Sequence, residues 1–177
     1  MRSGFTLVEL IATFSIIVII ALGVFIQFRS LSSTQTLENG LDIARSIIQQ
    51  ARTSAITAQT CCGLTTPPDG YGVSITIDGA PDNEIIWFAD TDNDQLYSSS
   101  DTVLSSTMID DVNLTSCDDG TTTTTSGDCT VIFQPPGFSG LYYNKVLASD
   151  TVSLTFTEAS SSATQSIVIY PTSYVIE

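Results

Sequence analysis

From Phe5 to Ile26 the chain carries one ionisable side chain, Glu9, inside a run of Ile, Val, Leu, Phe and Ala. Written as a helix, this run is roughly 33 Å long, about the thickness of a hydrocarbon core. So much apolar surface has to be covered by lipid or by protein, because water does not tolerate it. A cleavable secretory signal has a charged start, an apolar core of about 7–15 residues and a small-residue cleavage site after it. Here the run is longer, Ala-x-Ala does not come after it, and Met1-Arg2-Ser3-Gly4 precedes it. The plain reading is a single-pass anchor with a Glu near one end, where charge costs little.

The rest of the composition narrows the classes of function. A length of 177 residues accommodates one folded domain and one extra element. Nineteen acidic residues against five basic ones, for a net charge of −14, argue against nucleic acid, whose phosphates need clustered Lys or Arg. The chain has no His, so the usual general base and the commonest zinc ligand are missing. Hydroxyl-rich stretches such as "GTTTTTSG" and "TEASSSATQS", with only 14% charged residues, suit an exported protein.

Gly4, Phe5 and then Thr6-Leu7-Val8-Glu9, leading into the apolar run, resemble the prepilin motif of type IV pilins and type II secretion pseudopilins. The resemblance implies cleavage between Gly4 and Phe5 by a prepilin peptidase and N-methylation of Phe5. It also gives Glu9 a use. Cleavage frees an ammonium on Phe5, at a helix end whose unpaired N–H groups already carry partial positive charge. Where helices pack side by side, the Glu9 carboxylate of one subunit then meets the N-terminus of its neighbour. A paired charge is tolerated in an apolar bundle and fixes axial register, whereas a lone one is expensive.

Beyond this run, apolar residues recur at Leu31, Leu37, Leu41, Ala44, Ile47, Ile48, Ala51, Ala55 and Ala58, the spacing of one helix face. Gln27, Ser30, Ser33, Glu38, Arg45, Gln49 and Arg52 are expected mostly on the other side. Proline is absent between Phe5 and Ala58, so a continuous helix of about 80 Å is expected, with Gly23 and Asn39-Gly40 as its soft points. Members of the family often carry a proline at the place of Ile26, and without it the helix should stay straighter.

After Cys61-Cys62-Gly63 and Pro67-Pro68-Asp69-Gly70 the pattern changes to alternation, as in Val73-Ile75-Ile77. Strands are expected at Tyr71–Ile77, Glu84–Ala89, Thr102–Met108, Asp111–Ser116, Thr130–Gln134, Gly140–Tyr143, Thr151–Thr157, Ser166–Tyr170 and Tyr174–Ile176. Their short spacing favours antiparallel pairing. The expected fold class is α+β, a long hydrophobic, pilin-like N-terminal helix followed by an antiparallel β-sheet domain. Ala51–Ala55, Phe88–Asp92 and Phe133–Gly137 are similar to the minor pseudopilin branch, the H-type secretion and T-type fimbrial subunits. The relatives that bind DNA have basic residues in their tail. Here Pro171–Glu177 has no arginine, so no nucleic-acid partner is expected.

Two constellations remain. In "DTDNDQLYSSSD", Asp90, Asp92, Asp94 and Asp101 fall at positions 1, 3, 5 and 12 of a calcium-type loop. Gln95 stands where such loops need glycine, and Asp101 is shorter than the usual bidentate Glu, so an acidic turn exposed to water is the competing reading. The second constellation is Cys61, Cys62, Cys117 and Cys129, which allow three disulfide connectivities. Cys117–Cys129 is favoured because it closes the loop "DDGTTTTTSGD", leaving Cys61 and Cys62 as a vicinal pair or free thiols. The rival arrangement ties the helix end to that loop through both cysteines. Zinc is a poor fit without C-x-x-C spacing. Catalysis has no foothold either. A serine needs a base, and Lys145 is the only candidate besides Asp and Glu. Paired acids such as Asp110-Asp111 and Asp118-Asp119 read as solvated surface.

These readings divide the chain into a leader at 1–4, an assembly and membrane helix at 5–28, its amphipathic half at 29–60, and a β-rich domain at 61–177. The expected function is a non-enzymatic structural subunit, a pilin or minor pseudopilin held in the inner membrane until it joins a helical filament. Expected partners are other pilin or pseudopilin subunits, the prepilin peptidase and methyltransferase, the inner-membrane assembly platform, and lipid before assembly. No cofactor is expected except calcium. The family topology puts the short N-terminus in the cytoplasm and the acidic domain outside, in a periplasmic pseudopilus or an extracellular pilus. The alternative is a filament-displayed module that recognises calcium, a surface or an exported substrate.

Overall fold

The structure is a computed structural model and describes residues 7–77, 83–135, 140–148, 151–160 and 162–171, with the backbone alone for 24–31. It opens with α1, Leu7–Ile56, a helix of 50 residues. The helix ends in a Schellman arrangement. Ala58 takes a φ of 45°, its N–H donates to the Ala55 carbonyl, and the Gln59 N–H reaches back to the Ser54 carbonyl.

Among the described residues ten strands come after the helix, with antiparallel pairing throughout. They are β1 (Gly70–Ile77), β2 (Asn83–Asp90), β3 (Thr102–Ile109), β4 (Val112–Asp118), β5 (Thr123–Thr124), β6 (Gly127–Gln134), β7 (Gly140–Tyr143), β8 (Val146–Leu147), β9 (Val152–Glu158) and β10 (Thr164–Ile169). They form a six-stranded sheet in the order β3-β2-β1-β6-β7-β8 and a four-stranded sheet in the order β10-β9-β4-β5. Period-two alternation decides which face goes in. In β9, Val152, Leu154 and Phe156 are buried while the residues between them are half-exposed.

The buried stripe of α1, Leu37, Leu41, Ala44, Ile47, Ile48, Ala51 and Ala55, contacts β1, β2 and β6 of the large sheet and β4, β9 and β10 of the small one. The C-terminal half of the helix is therefore part of the core that joins the two sheets. Two glycines make close approaches work. A Cβ on Gly40 would lie 2.7 Å from Ile109 Cγ2 and 2.8 Å from Val112 Cγ2, so the helix meets the β3–β4 turn through its bare backbone. In β1, a Cβ on Gly72 would lie 2.5 Å from the Phe88 ring, which leans over it from β2.

The expected fold class needs correction. Among the described residues no helix is long and apolar enough to cross a membrane. Most of the described elements are antiparallel strands, in two sheets instead of one. The amphipathic second half of the helix packs the β-domain through the apolar positions its spacing marks. Arg52, expected on the outer face, is only 6% exposed. The two-residue strands β5 and β8 were too short to leave an alternating pattern. The expected strand Tyr174–Ile176 lies outside the described residues.

Candidate functional site

The processing pair Gly4 and Phe5 lies outside the described residues. Glu9 falls in the first turn of α1 and is exposed. Around it the apolar side chains stand in the open, with Leu7 75%, Val8 74%, Phe14 65% and Ile19 69% exposed. Leu10, Ile11, Phe14, Ser15, Val18 and Ile19 line a shallow groove along one side of this stretch. The hydroxyls of Thr13 and Ser15 donate to carbonyls one turn back, Glu9 and Ile11, so they present no free polar group to an apolar neighbour.

The acidic loop comes directly after β2. Asp90 closes the strand and is fully buried, and its two oxygens accept the N–H groups of Asn93 at 2.8 Å and Gln95 at 3.3 Å. Burial pushes its carboxyl up to about 6, helped by the charges of Asp101 and Asp92 and opposed by those two N–H bonds. Asp92 is held below the usual carboxylate range, chiefly by the Ser100 hydroxyl, which donates to it at 2.6 Å. Asp94 accepts the Leu96 N–H at 2.8 Å and the Lys145 ammonium at 3.1 Å. Both oxygens of Asp101 are used, by the N–H groups of Thr91 at 3.1 Å and Ser98 at 2.8 Å. Tyr97 folds the loop back, its ring 5.1 Å from that of Phe88.

Of the four expected ligands, Asp90, Asp92 and Asp94 converge, with one carboxylate oxygen from each lying within 4.8 Å of the others. Gln95 adopts the left-handed conformation, at φ 58°, that its glycine counterpart would have taken. Asp101 instead works as a loop brace. Calcium asks for six to eight oxygens, so three carboxylates would need carbonyls and water to complete the shell. They also already face a cation. Lys145 sits at the tip of the β7–β8 hairpin, where Asn144 at φ 44° and Lys145 at φ 73° make the two-residue turn that antiparallel hairpins favour. The Asn144 side chain pins the turn by accepting the Thr130 N–H at 2.9 Å. No signal in the sequence linked Lys145 to this loop, 51 residues away.

The four cysteines form two pairs. Cys117 on β4 is bonded to Cys129 on β6, with Cα atoms 6.3 Å apart, and both are buried. Since β4 and β6 belong to different sheets, this bond staples the two sheets together. Nearby, the Tyr143 hydroxyl donates to the Cys117 carbonyl at 3.1 Å. Cys61 and Cys62 are joined to each other in the turn that leaves the helix, ahead of β1. Of the paired acids expected at the solvated surface, Asp119 is instead buried: it accepts the N–H groups of Thr121 and Thr122, while Asp118 accepts that of Gly120, so the pair braces the threonine loop.

No protein-family model, curated protein or solved structure matches this chain. The likeness to prepilins therefore rests on the residues from Gly4 to Leu10 and on the apolar run that continues from them.

Proposed function

We propose that the chain is a non-enzymatic filament subunit, a pilin or minor pseudopilin, whose exposed apolar helix end packs against the same segment of neighbouring subunits. One observation carries this reading: around Glu9, the first turns of α1 expose apolar side chains that the chain's own domain does not cover. In this reading prepilin peptidase cuts between Gly4 and Phe5, Phe5 is N-methylated, and Glu9 pairs with the freed amine of an adjacent subunit. The segment holds the protein at the inner membrane before assembly, with the acidic β-domain outside the cytoplasm. A domain of that charge stays soluble and resists loose association, which leaves cohesion to the helices.

Mass analysis of the protein's N-terminus from its host tests the processing, and a chain beginning at methylated Phe5 is the expected result. Glu9→Ala should keep membrane association and lose most filament incorporation, measured in sheared-filament fractions. Full incorporation of that variant, or a native chain that keeps its first four residues, overturns the reading.

The alternative, a displayed module that recognises calcium, a surface or an exported substrate, draws on the convergence of Asp90, Asp92 and Asp94. Asp90, Asp92 and Asp94 would hold the ion, and Lys145 would have to release Asp94. Melting curves with and without calcium decide it, because a ligand at about a hundred times its Kd raises stability by about 2.7 kcal/mol. No shift at millimolar calcium removes this alternative.

A further inference from the structure

Beside the buried stripe of α1 runs a groove of about 390 Å³, within the size range of small-ligand sites. One wall is a helical stripe, Ser46, Gln49, Gln50 and Thr53, at the i, i+3, i+4, i+7 spacing that shares one face. Ser54, Gln59 just past the helix end, and Trp87 on β2 complete the lining. The β2–β3 ladder shifts register between Trp87 and Phe88, the kind of irregularity that re-aims a side chain. Trp87 packs against the core on one side and borders the groove on the other.

Two properties of this lining point to a ligand class. First, it carries no charge, in a chain with nineteen acidic residues. Its polar groups are hydroxyls and carboxamides, which both donate and accept. Part of that capacity is already committed: Gln50 Nε2 donates to the Ser46 hydroxyl at 3.3 Å, Ser54 donates to Gln59 Oε1 at 3.3 Å, and the Thr53 hydroxyl donates to the Gln49 carbonyl at 2.7 Å. These bonds leave the Gln49 carboxamide, the Gln50 Oε1, the Gln59 NH2 group and the hydroxyl lone pairs of Ser46 and Thr53 to offer. Second, the Trp87 indole N–H is buried and meets no acceptor among the described residues. That N–H is closed off from solvent, so a ligand in the groove meets the indole ring and not its N–H.

A polyanion would be repelled by the chain's net charge of −14, and an apolar ligand would strand the amides. A neutral sugar meets both demands, since its ring has an apolar C–H face for the indole and a rim of hydroxyls for the amides. We propose that the groove between α1 and Trp87 is a binding site for a neutral carbohydrate, whose ring stacks on Trp87 and whose hydroxyls bond Ser46, Gln49, Gln50 and Thr53. The proposal rests on this geometry alone and stands or falls separately from the filament reading.

Trp87 is the only tryptophan of the chain, so its fluorescence reports on this groove alone. The experiment titrates the full chain, in a phosphocholine detergent that carries no sugar headgroup, with maltohexaose, cellohexaose and chitohexaose. At least one should produce a saturable fluorescence change with a Kd of about 0.1–10 mM, the weak end of specific binding. The double variant Gln49→Ala/Thr53→Ala, on an exposed helix face, should weaken that binding about fivefold or more while leaving the circular dichroism and melting midpoint unchanged. The proposal is overturned if none of the three sugars gives a saturable change, or if the folded double variant binds as the parent does. It is overturned equally if an uncharged Gly-Ser peptide produces the same saturable response, which would make the groove a peptide site.

Discussion

Asp90 shows how a single buried carboxylate leaves a signature in the pH dependence of stability. Its ordinary value is 3.8, and in the folded chain it stands at about 6. The fold therefore favours its neutral form, so its contribution is fully present below about pH 4 and fades as the pH rises through about 6. Asp92 and Asp118 are shifted the other way by hydrogen bonds to their ionised forms, and what they contribute is lost on acidification. Comparison with Asp90→Asn isolates the one group, because the other carboxylates are common to both proteins. Between pH 7 and pH 4 the parent should gain about 2 kcal/mol relative to Asp90→Asn in urea unfolding. A difference that stays flat across that interval would show that Asp90 titrates like an ordinary surface acid.

At the scale of elements, α1 is one continuous helix with two unlike halves. Its first turns expose apolar side chains in every direction, whereas the second half buries a seam of Leu, Ile and Ala against both sheets. Gly40 sits on that seam. Elsewhere in a helix, glycine to alanine gains about 1 kcal/mol, but here the added methyl would be forced against the β-branched side chains of Ile109 and Val112. Overpacking of this kind costs about 1–3 kcal/mol, so Gly40→Ala should lower the stability of the domain, as read by its urea midpoint. The seam was legible in the sequence from its three-and-four spacing, and so were the strands with clean alternation, such as β1 and β9. The role of Gly40 was not. It looked like a weak point in a helix, because the turn that crowds it lies about 70 residues further along. Arg52 was misplaced for a similar reason: helical spacing puts it at the margin of the stripe, and only the neighbouring strands decide that the margin is covered.

For the whole molecule, the main constraint is the joining of two sheets that share no backbone ladder. Packing of α1 against both of them does part of this, direct packing of β4 on β1 and β2 with the Asn83 side chain donating from β2 to the Val112 carbonyl at 2.6 Å does another, and the Cys117–Cys129 bond adds a covalent tie from β4 to β6 across a sequence separation of 12. Closing a loop of that size stabilises by about 3 kcal/mol in the chain-entropy treatment. The double replacement Cys117→Ser/Cys129→Ser removes this cross-link and places two hydroxyls in the core, so it should cost at least that much in denaturant unfolding. A loss under about 1 kcal/mol would mean that packing and hydrogen bonds alone hold the sheets together.

The sequence by itself determined the local structure: where helix gives way to strand, which side chains of α1 form its buried seam, and that three aspartates of the acidic loop alternate. It also supplied the motif around Gly4, Phe5 and Glu9 on which the proposed function depends. These are matters of covalent order and of periods of 3.6 and 2, which short stretches of chain carry within themselves. Tertiary structure alone decided how the strands divide into two sheets, that Lys145 faces Asp94, that Asp101 braces the loop, and that Trp87 borders an uncharged groove. Each of these depends on packing between residues distant in the chain, where burial and the geometry of a partner set the outcome, and no local pattern encodes either.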